Sequence, residues 1–340
     1  MYRRASKWLV AALGVLCALV PLLGDDLIVY KSGLVLVTLV DVLGLHVLVN
    51  WTAELSLAHA GAVGLPAFTV LAASETWHAS PVYLLPFGLL VGVLTGALIG
   101  LPALRAGGLH VALLTLVAGF AIDRFFLKQL WLVGKVARQV SKPALGPVDL
   151  TSRRSMYVML VVLTVAALTA VTRMHRSKIG RAWFWIRADQ SGAAAFGIPV
   201  ARYRICAYAV GGAFAGLAGG MYANWVRTFS GQAFPLQQSF TYLLLAVIAG
   251  PGVIWGVVAA VLLVQGGQVF AADIIGSAFG DAFDTFIAYG GPIALLVVIT
   301  RYQGGLSGIG GAVAARRRAA PQSGALPVPE PGTSADERCA

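Results

Sequence analysis

The chain has 340 residues, of which 58% are apolar and only 11% carry a charged side chain. Soluble proteins average about 25% charged residues, so a chain this long with so few charges cannot cover a water-exposed surface. The composition excludes a cytoplasmic globular enzyme and indicates a polytopic membrane protein. The net charge of +11 is typical of Lys and Arg that hold loops on the cytoplasmic side, and it gives no reason to expect a nucleic-acid partner.

Apolar runs of membrane-spanning character recur along the chain. A spanning helix needs about 20 mostly apolar residues. The first run, 8–23, follows three basic residues and ends without a small-residue cleavage site, which favours a retained signal anchor over a signal peptide. Further runs lie at 32–49, 55–73, 82–104, 109–127, 156–171, 205–225, 240–249, 253–272 and 286–300. We therefore expect an all-α polytopic membrane protein with about ten transmembrane helices, some of them short or broken.

The run 240–249 is too short to cross a bilayer upright, and it is followed by Pro251 and Gly252. Backbone groups freed by a break in a membrane helix are tolerated only where they face protein or a water-filled cavity. This part of the sequence therefore predicts a short or broken helix inside the bundle.

The distribution of charge predicts that both termini are cytoplasmic. With the basic N-terminus inside, the loop that carries Asp25 and Asp26 falls outside and the basic loop 172–204 falls inside. The loop 128–155 falls outside although it contains six basic residues, so the orientation rests on the other loops. Residues 1–302 form the predicted transmembrane domain. Residues 303–340 are rich in Gly, Ala, Pro, Ser and Arg, which predicts a disordered cytoplasmic tail.

Four polar residues lie where the run 55–73 begins: Asn50, Glu54, Ser56 and His59. Polar groups at membrane depth are costly and usually face a bundle interior or a pathway. The alternative is that Glu54 and Ser56 cap a helix at the interface, and the sequence leaves both open. We expect His59 to be a packing histidine and not a metal ligand, because no second His or Cys lies one helical turn away.

The loop 172–204 contains a patterned segment at 177–198. Ile179, Trp183 and Ile186 have helical spacing and predict an apolar stripe, with Arg181 and Arg187 on other faces. A glycine and a proline follow and end the segment. A basic helix with exposed aromatic residues is compatible with lipid headgroups or with the groove of another protein.

Two series of glycines spaced four residues apart predict close helix packing, because each leaves a helix face of bare backbone. They are Gly92, Gly96, Gly100, Gly212, Gly216 and Gly220.

Motifs of nucleotide-dependent or hydrolytic enzymes are missing from the sequence. It has no G-x-x-x-x-G-K-[ST] and no H-E-x-x-H, so we expect neither a nucleotide site nor a zinc hydrolase. Charges within the apolar runs are few, the main ones being Asp41, His46 and Asp123. Asp41 and His46 are five residues apart, which is not one helical face, so the sequence offers little support for a proton relay.

Several motifs in order resemble the LivM-type permeases of bacterial ABC importers, the LivH/LivM family that serves branched-chain amino acids. Residues 55–60 are similar to the family's Leu-Ser-Leu-Gly-His-Ala, with Ala58 in place of Gly. Residues 180–198 match the family's signature loop at the same spacing, although Glu-Asn-Glu is replaced by Ala-Asp-Gln. The glycine-rich stretches 215–219, 250–256 and 304–308 also look familial.

The resemblance implies the permease subunit of an ABC importer in the bacterial inner membrane, moving branched-chain or related amino acids inward. ATP would be hydrolysed on a separate ATPase, so this chain would bind no cofactor and would not itself be an enzyme. The implied partners are ABC ATPase subunits, a second homologous permease, an extracytoplasmic solute-binding protein and the small-molecule substrate. The alternative function is a stand-alone channel or an ion-coupled carrier for a small polar solute.

The resemblance also assigns roles to residues of this sequence. In such importers the signature loop docks on the ATPase, which implies coupling residues Gly180, Arg181, Trp183, Ile186, Arg187, Ala193 and Gly197. For the translocation pathway we expect Ser56, His59, Gly250, Pro251 and Gly252.

Overall fold

A computed structural model of the chain describes residues 20–21, 24–105, 108–128, 138–139, 144–145, 148–250 and 254–267. The predicted signal anchor lies almost entirely outside these ranges. The last predicted span, the predicted tail 303–340, Pro251 and Gly252 also lie outside the described residues. Within them the chain is mostly helical, which confirms the all-α prediction.

The first half of the described chain contains four long helices. Helix α1 spans Asp26–His46 and continues as a π-helical turn, Val47–Trp51. Helix α2 spans His59–Trp77, and α3 spans Leu85–Ala103. Helix α4 spans Leu109–Ile122 and continues as a second π-helical turn, Asp123–Leu127.

The second half alternates long and short helices. They are α5 (Arg153–His175), α6 (Lys178–Ala188), α7 (Gln190–Ala195), α8 (Val200–Val226), α9 (Gln237–Ala249) and α10 (Ile254–Ala260), which is continued by a π-helical turn, Val261–Gly266. A 3₁₀ turn, Gly231–Ala233, precedes α9. The two-residue strands are β1 (Arg138–Gln139), β2 (Ala144–Leu145), β3 (Val148–Asp149) and β4 (Thr228–Phe229), and β1 pairs antiparallel with β4 and β2 with β3.

Five segments of the described chain are long and apolar enough to cross a membrane: Asp26–Trp51, Leu85–Ala103, His110–Leu127, Arg153–His175 and Val200–Val226. Helix α9 is short, as the sequence predicted. The total of about ten transmembrane helices stays a prediction.

Helix α1 is the central element of the bundle. In the apolar stretch of α1, 89% of the residues are buried, whereas 33% are buried in the apolar stretch of α4. Large apolar side chains such as Leu98, Val117 and Val162 are exposed on the outer helices α3, α4 and α5. A continuous apolar exterior is what a bilayer requires of the helices that surround a core.

Helices α3 and α8 pack backbone against backbone through the two predicted glycine series. A Cβ atom added to Gly92 would lie 2.6 Å from the Gly216 Cα, and one added to Gly212 would lie 2.8 Å from the Gly96 Cα. These distances are too short for any real Cβ, and the obstacle is backbone that cannot rotate away. The prediction of close packing is confirmed, and the structure adds that the two series face each other.

Candidate functional site

A non-helical segment, residues 53–58, separates α1 from α2 inside the bundle. The sequence predicted a span beginning at residue 55, which is wrong: α2 begins at His59. The segment's backbone is held by distant side chains, since Leu57 N donates to the Thr115 Oγ1 (3.0 Å) and Ala60 N donates to the Ser239 Oγ (2.9 Å). Irregular backbone at membrane depth is stable only when neighbours satisfy it in this way.

A buried ion pair fixes the start of this segment. Glu54 Oε1 lies 2.6 Å from Arg204 Nε, and Glu54 Oε2 accepts a hydrogen bond from Arg204 Nη2 at 3.0 Å. Both side chains are less than a tenth exposed. Arg204 Nη2 also donates to the carbonyl of Ala103 at the end of α3 (3.0 Å). Glu54 therefore does not cap an interfacial helix. It joins the break to the first turns of α8, a role for Arg204 that sequence reasoning missed.

A second buried pair of titratable side chains, Asp41 and His59, lies deeper in the bundle. His59 Nε2 is 2.8 Å from Asp41 Oδ1, and the two side chains are 3% and 2% exposed. Asp41 lies ten residues before Trp51, the last residue of this membrane-crossing segment. At the rise of an α-helix, Asp41 is therefore about 15 Å along the axis from that end, which is near half the thickness of a bilayer core. The ring of Tyr242 on α9 contacts the His59 ring edge-on.

These contacts test the sequence predictions for histidine. His59 lies against Asp41 at the start of α2, and the described ranges contain no group of three or more His, Cys, Asp or Glu that could hold a metal. Asp41 lies against His59, whereas His46 Nδ1 is hydrogen-bonded to the Nδ2 of Asn50 (2.9 Å). The structure thus gives Asp41 and His46 different partners.

Of the remaining predicted pathway residues, Ser56 lies in this break and Gly250 follows α9, whereas Pro251 and Gly252 lie outside the described residues. Ser56 is buried. Gly250 ends α9 with φ +74°, a left-handed conformation that favours glycine. The assignment of Ser56, His59 and Gly250 to a translocation pathway stays a prediction.

Helices α6 and α7 form the predicted coupling segment, and its buried face lies against the bundle. Trp183, Ile186 and Ala193 are at most 1% exposed, and Trp183 Nε1 donates to the carbonyl of Tyr203 (2.9 Å). The predicted stripe is right for Trp183 and Ile186 but wrong for Ile179, which is 41% exposed.

Two glycines explain the shape of this segment. Gly180 lies against the carbonyls of Met174 and His175 at the end of α5, whereas the adjacent Ile179 is exposed. Gly197 has φ +80° and ends α7, as the sequence predicted.

Arg187 connects the coupling segment to the end of α1. Its Nη1 donates to the carbonyls of Val49 and Asn50, both at 2.9 Å. Partial burial lowers the pKa of the Arg187 guanidinium, which nonetheless keeps its charge because arginine does not deprotonate in proteins. Asn50 Nδ2 in turn donates to the carbonyl of Ala246 on α9 (2.6 Å). A continuous path of hydrogen bonds therefore runs from α6 through α1 to the short helix α9.

Aromatic packing reinforces this connection. The fully buried Trp51 ring lies 6.0 Å from Trp183, 5.8 Å from Phe184 and 5.4 Å from His175, measured between ring centroids. Rings at these separations attract one another beyond their burial alone. The end of α1 and helix α6 are therefore packed together through the Trp51 ring.

A family profile described as "Branched-chain amino acid transport system / permease component" matches residues 28–309. The chain belongs to this permease family. The high-affinity branched-chain amino acid transport system permease protein LivM of Escherichia coli K12 is 26% identical over 285 residues, 76% of this chain and 67% of that protein. LivM of Salmonella typhimurium LT2 is 28% identical over 248 residues, 65% of this chain and 58% of that protein. No solved structure matches the chain.

The resemblance of the motifs to LivM-type permeases is thus confirmed. The permease is a multi-pass membrane protein of a transport family, and it spans about two thirds of the length of the Escherichia coli relative and less of the Salmonella typhimurium one.

Proposed function

We propose that this permease is the membrane subunit of an ABC importer that moves branched-chain or related amino acids inward, driven by ATP hydrolysis on a separate subunit. The observation that carries the proposal is the pair of hydrogen bonds from Arg187 to Val49 and Asn50. It links a surface segment to the interior break, as transmission of an external force would require.

The outer face of the coupling segment suits a docking partner. Trp185 is 60% exposed and Phe196 is 82% exposed, and their ring centroids are 6.3 Å apart. Aromatic anchors surrounded by polar and basic residues are typical of surfaces that insert into a protein groove. In the proposal they seat α6 and α7 in the partner ATPase.

Movement of the ATPase would then reach the pathway in two steps. Displacement of α6 pulls on the Val49–Trp51 turn through Arg187 and the Trp51 ring cluster. The Asn50 side chain passes this displacement to α9 at Ala246. The bundle thereby alternates between two states, and net transport requires that ATP and solute bind those states with different affinities. The permease performs no covalent chemistry and binds no cofactor in this scheme.

The proposed assembly includes ABC ATPase subunits, a second homologous permease and an extracytoplasmic solute-binding protein, in a bacterial inner membrane with both termini of this chain cytoplasmic. The first test is to tag the permease, extract it from native cells in mild detergent and identify what copurifies. We expect a P-loop ATPase, a second permease and a solute-binding protein. Recovery of this chain alone, under conditions that preserve a control ABC complex, would favour a stand-alone channel or an ion-coupled carrier, and Asp41 would be the residue to substitute next.

The second test compares Arg187 with an exposed arginine to which no coupling role is assigned. Arg187→Gln removes both bonds to the end of α1. Because a hydrogen bond from a charged donor contributes about 1.5–3 kcal/mol, we expect Arg187→Gln to lower uptake about tenfold or more while the complex still copurifies. Arg202→Gln is the matched control, since Arg202 is exposed in the first turn of α8. Equal uptake by both variants would refute the proposed transmission path.

A further inference from the structure

A cavity of about 520 Å³ opens beside the π-helical end of α4. One wall is formed by α4, its π-helical turn and the residue after it, and the other by the segment that leads into α9 and by the first turn of α9. The lining includes Phe120, Asp123, Lys128, Gln232, Leu236 and Phe240. This volume lies within the range of about 300–1,000 Å³ that is usual for small-molecule sites.

The π-helical turn places two opposite charges side by side at this cavity. In an α-helix, residues five apart are separated by about 140° around the axis. Here Lys128 N donates to the carbonyl of Asp123 (3.1 Å), an i→i+5 bond that puts the fifth residue nearly above the first. Lys128 Nζ therefore reaches Asp123 Oδ2 at 2.7 Å. Single π-helical turns occur frequently at functional sites.

The ion pair is open to exchange. The Lys128 side chain is 46% exposed and that of Asp123 is 13% exposed. The pair lies at the end of the membrane-crossing segment His110–Leu127 and lines the cavity, so a ligand that brings its own opposite charges can replace the pairing from the cavity.

The rest of the cavity is largely apolar. Phe120, Leu236 and Phe240 line it together with the amide of Gln232. Apolar walls with a few placed polar groups are the usual composition of a small-molecule site. The complementary ligand has an ammonium and a carboxylate close together, and an aliphatic side chain.

The inner wall of the cavity adjoins the break between α1 and α2. Phe240 follows Ser239, whose Oγ accepts the hydrogen bond from Ala60 N. A Cβ atom added to Gly119 of α4 would lie 3.1 Å from the Leu236 Cδ1 and 3.0 Å from the Ala58 Cα. One layer of side chains therefore separates the cavity from the start of α2.

We infer that this cavity binds an apolar α-amino acid as its zwitterion. The Asp123 carboxylate accepts hydrogen bonds from the ligand ammonium, the Lys128 ammonium donates to the ligand carboxylate, and the aliphatic side chain lies against Phe120, Leu236 and Phe240. The inference rests on the proposed function, because it supplies a site for the amino acid that the proposal transports.

The test is ligand protection of an introduced thiol. In the full-length chain with Cys17, Cys206 and Cys339 replaced by serine, Gln232→Cys places a thiol in the cavity. Ser230→Cys is the matched control, since Ser230 is exposed in the same segment and does not line the cavity. The rate of labelling by a charged maleimide is measured on the purified protein with and without L-leucine. We expect L-leucine to slow labelling of the Gln232→Cys protein and not of the Ser230→Cys protein.

Analogues and charge variants decide how the ligand is recognised. 4-Methylpentanoate and 3-methylbutylamine each retain one of the two charges and should give no protection. Asp123→Asn and Lys128→Gln should each raise the L-leucine concentration for half-protection about tenfold or more, because each removes charge-assisted hydrogen bonds. Asp26→Asn and Lys31→Gln, in the first turns of α1, are the matched controls and should leave it unchanged.

The outcomes separate this inference from the proposed function. If native cells with the wild-type chain take up labelled leucine but leucine does not protect the Gln232→Cys thiol, the cavity assignment is wrong and the proposed function stands. Equal protection by the singly charged analogues would also overturn the assignment. If the wild-type chain supports no amino acid uptake, both the cavity assignment and the proposed function are wrong.

Discussion

Removing the Glu54 carboxylate should destabilise the permease strongly. Glu54→Gln leaves Arg204 buried with its charge uncompensated, since the two carboxylate oxygens lie 2.6 Å from Arg204 Nε and 3.0 Å from Arg204 Nη2, which donates to one of them. Breaking a buried ion pair by removing one partner costs about 3–5 kcal/mol. For a long chain, 1 kcal/mol corresponds to about 2 °C or less in the melting temperature, so a fall of up to about 6–10 °C is expected.

The assay is thermal unfolding of the purified chain in detergent, performed as a double-mutant cycle with Arg204→Met. The double variant should recover a large part of the loss, because neither charge is then buried alone. Asp123→Asn is the control, since its half-exposed pair with Lys128 should contribute about 0–1 kcal/mol. A melting temperature for Glu54→Gln within 2 °C of wild type, or losses that simply add in the double variant, would refute this reasoning.

Two further predictions concern packing. Gly92→Ala should prevent α3 and α8 from packing against each other, since the new methyl group would clash with the backbone of Gly216. The yield of folded protein should therefore fall severely. Gly267→Ala, where a Cβ meets nothing within 4 Å in the described part of the chain, should be harmless in the same size-exclusion assay. Trp183→Phe removes the hydrogen bond to the Tyr203 carbonyl and should cost about 1 kcal/mol, visible as a small fall in the melting temperature without loss of membrane insertion. No change on Trp183→Phe would show that the bond does not hold α6 on α8.

Much of the architecture was predictable because bilayer thickness sets the length of apolar runs. The run 82–104 became α3, and the run 156–171 became the core of α5, within a few residues at each end. Glycines spaced four residues apart likewise predicted close packing. Residues at this spacing lie on one face of a helix, and that face then carries no side chains.

The break at residues 53–58 was not predictable from local sequence. Its residues are compatible with a helix, and the bonds that hold it open come from Thr115 and Ser239, which lie 58 and 179 residues away in the sequence. The same holds for Glu54 and Arg204, separated by 150 residues. Pairings of this kind depend on the tertiary arrangement of helices, which a single sequence does not specify.

The coupling segment shows a different limit. Its apolar residues divide between a face buried in the bundle, with Trp183, and a face left exposed, with Trp185 and Ile179. An apolar side chain looks the same in sequence whether it packs within the chain or is exposed for docking. The sequence pattern therefore assigned Ile179 to the buried face, although it is exposed. Gly180, which lies against the end of α5, is on the buried face.

The α3–α8 contact has a consequence for how this permease can vary. Where a large side chain meets a small one, an enlargement on one helix can be rescued by a reduction on the other. At Gly92, Gly96, Gly212 and Gly216 both sides are already glycine and no smaller residue exists. A change at any of these positions therefore has no second-site suppressor across the contact, and a genetic screen for one should recover only reversion to glycine.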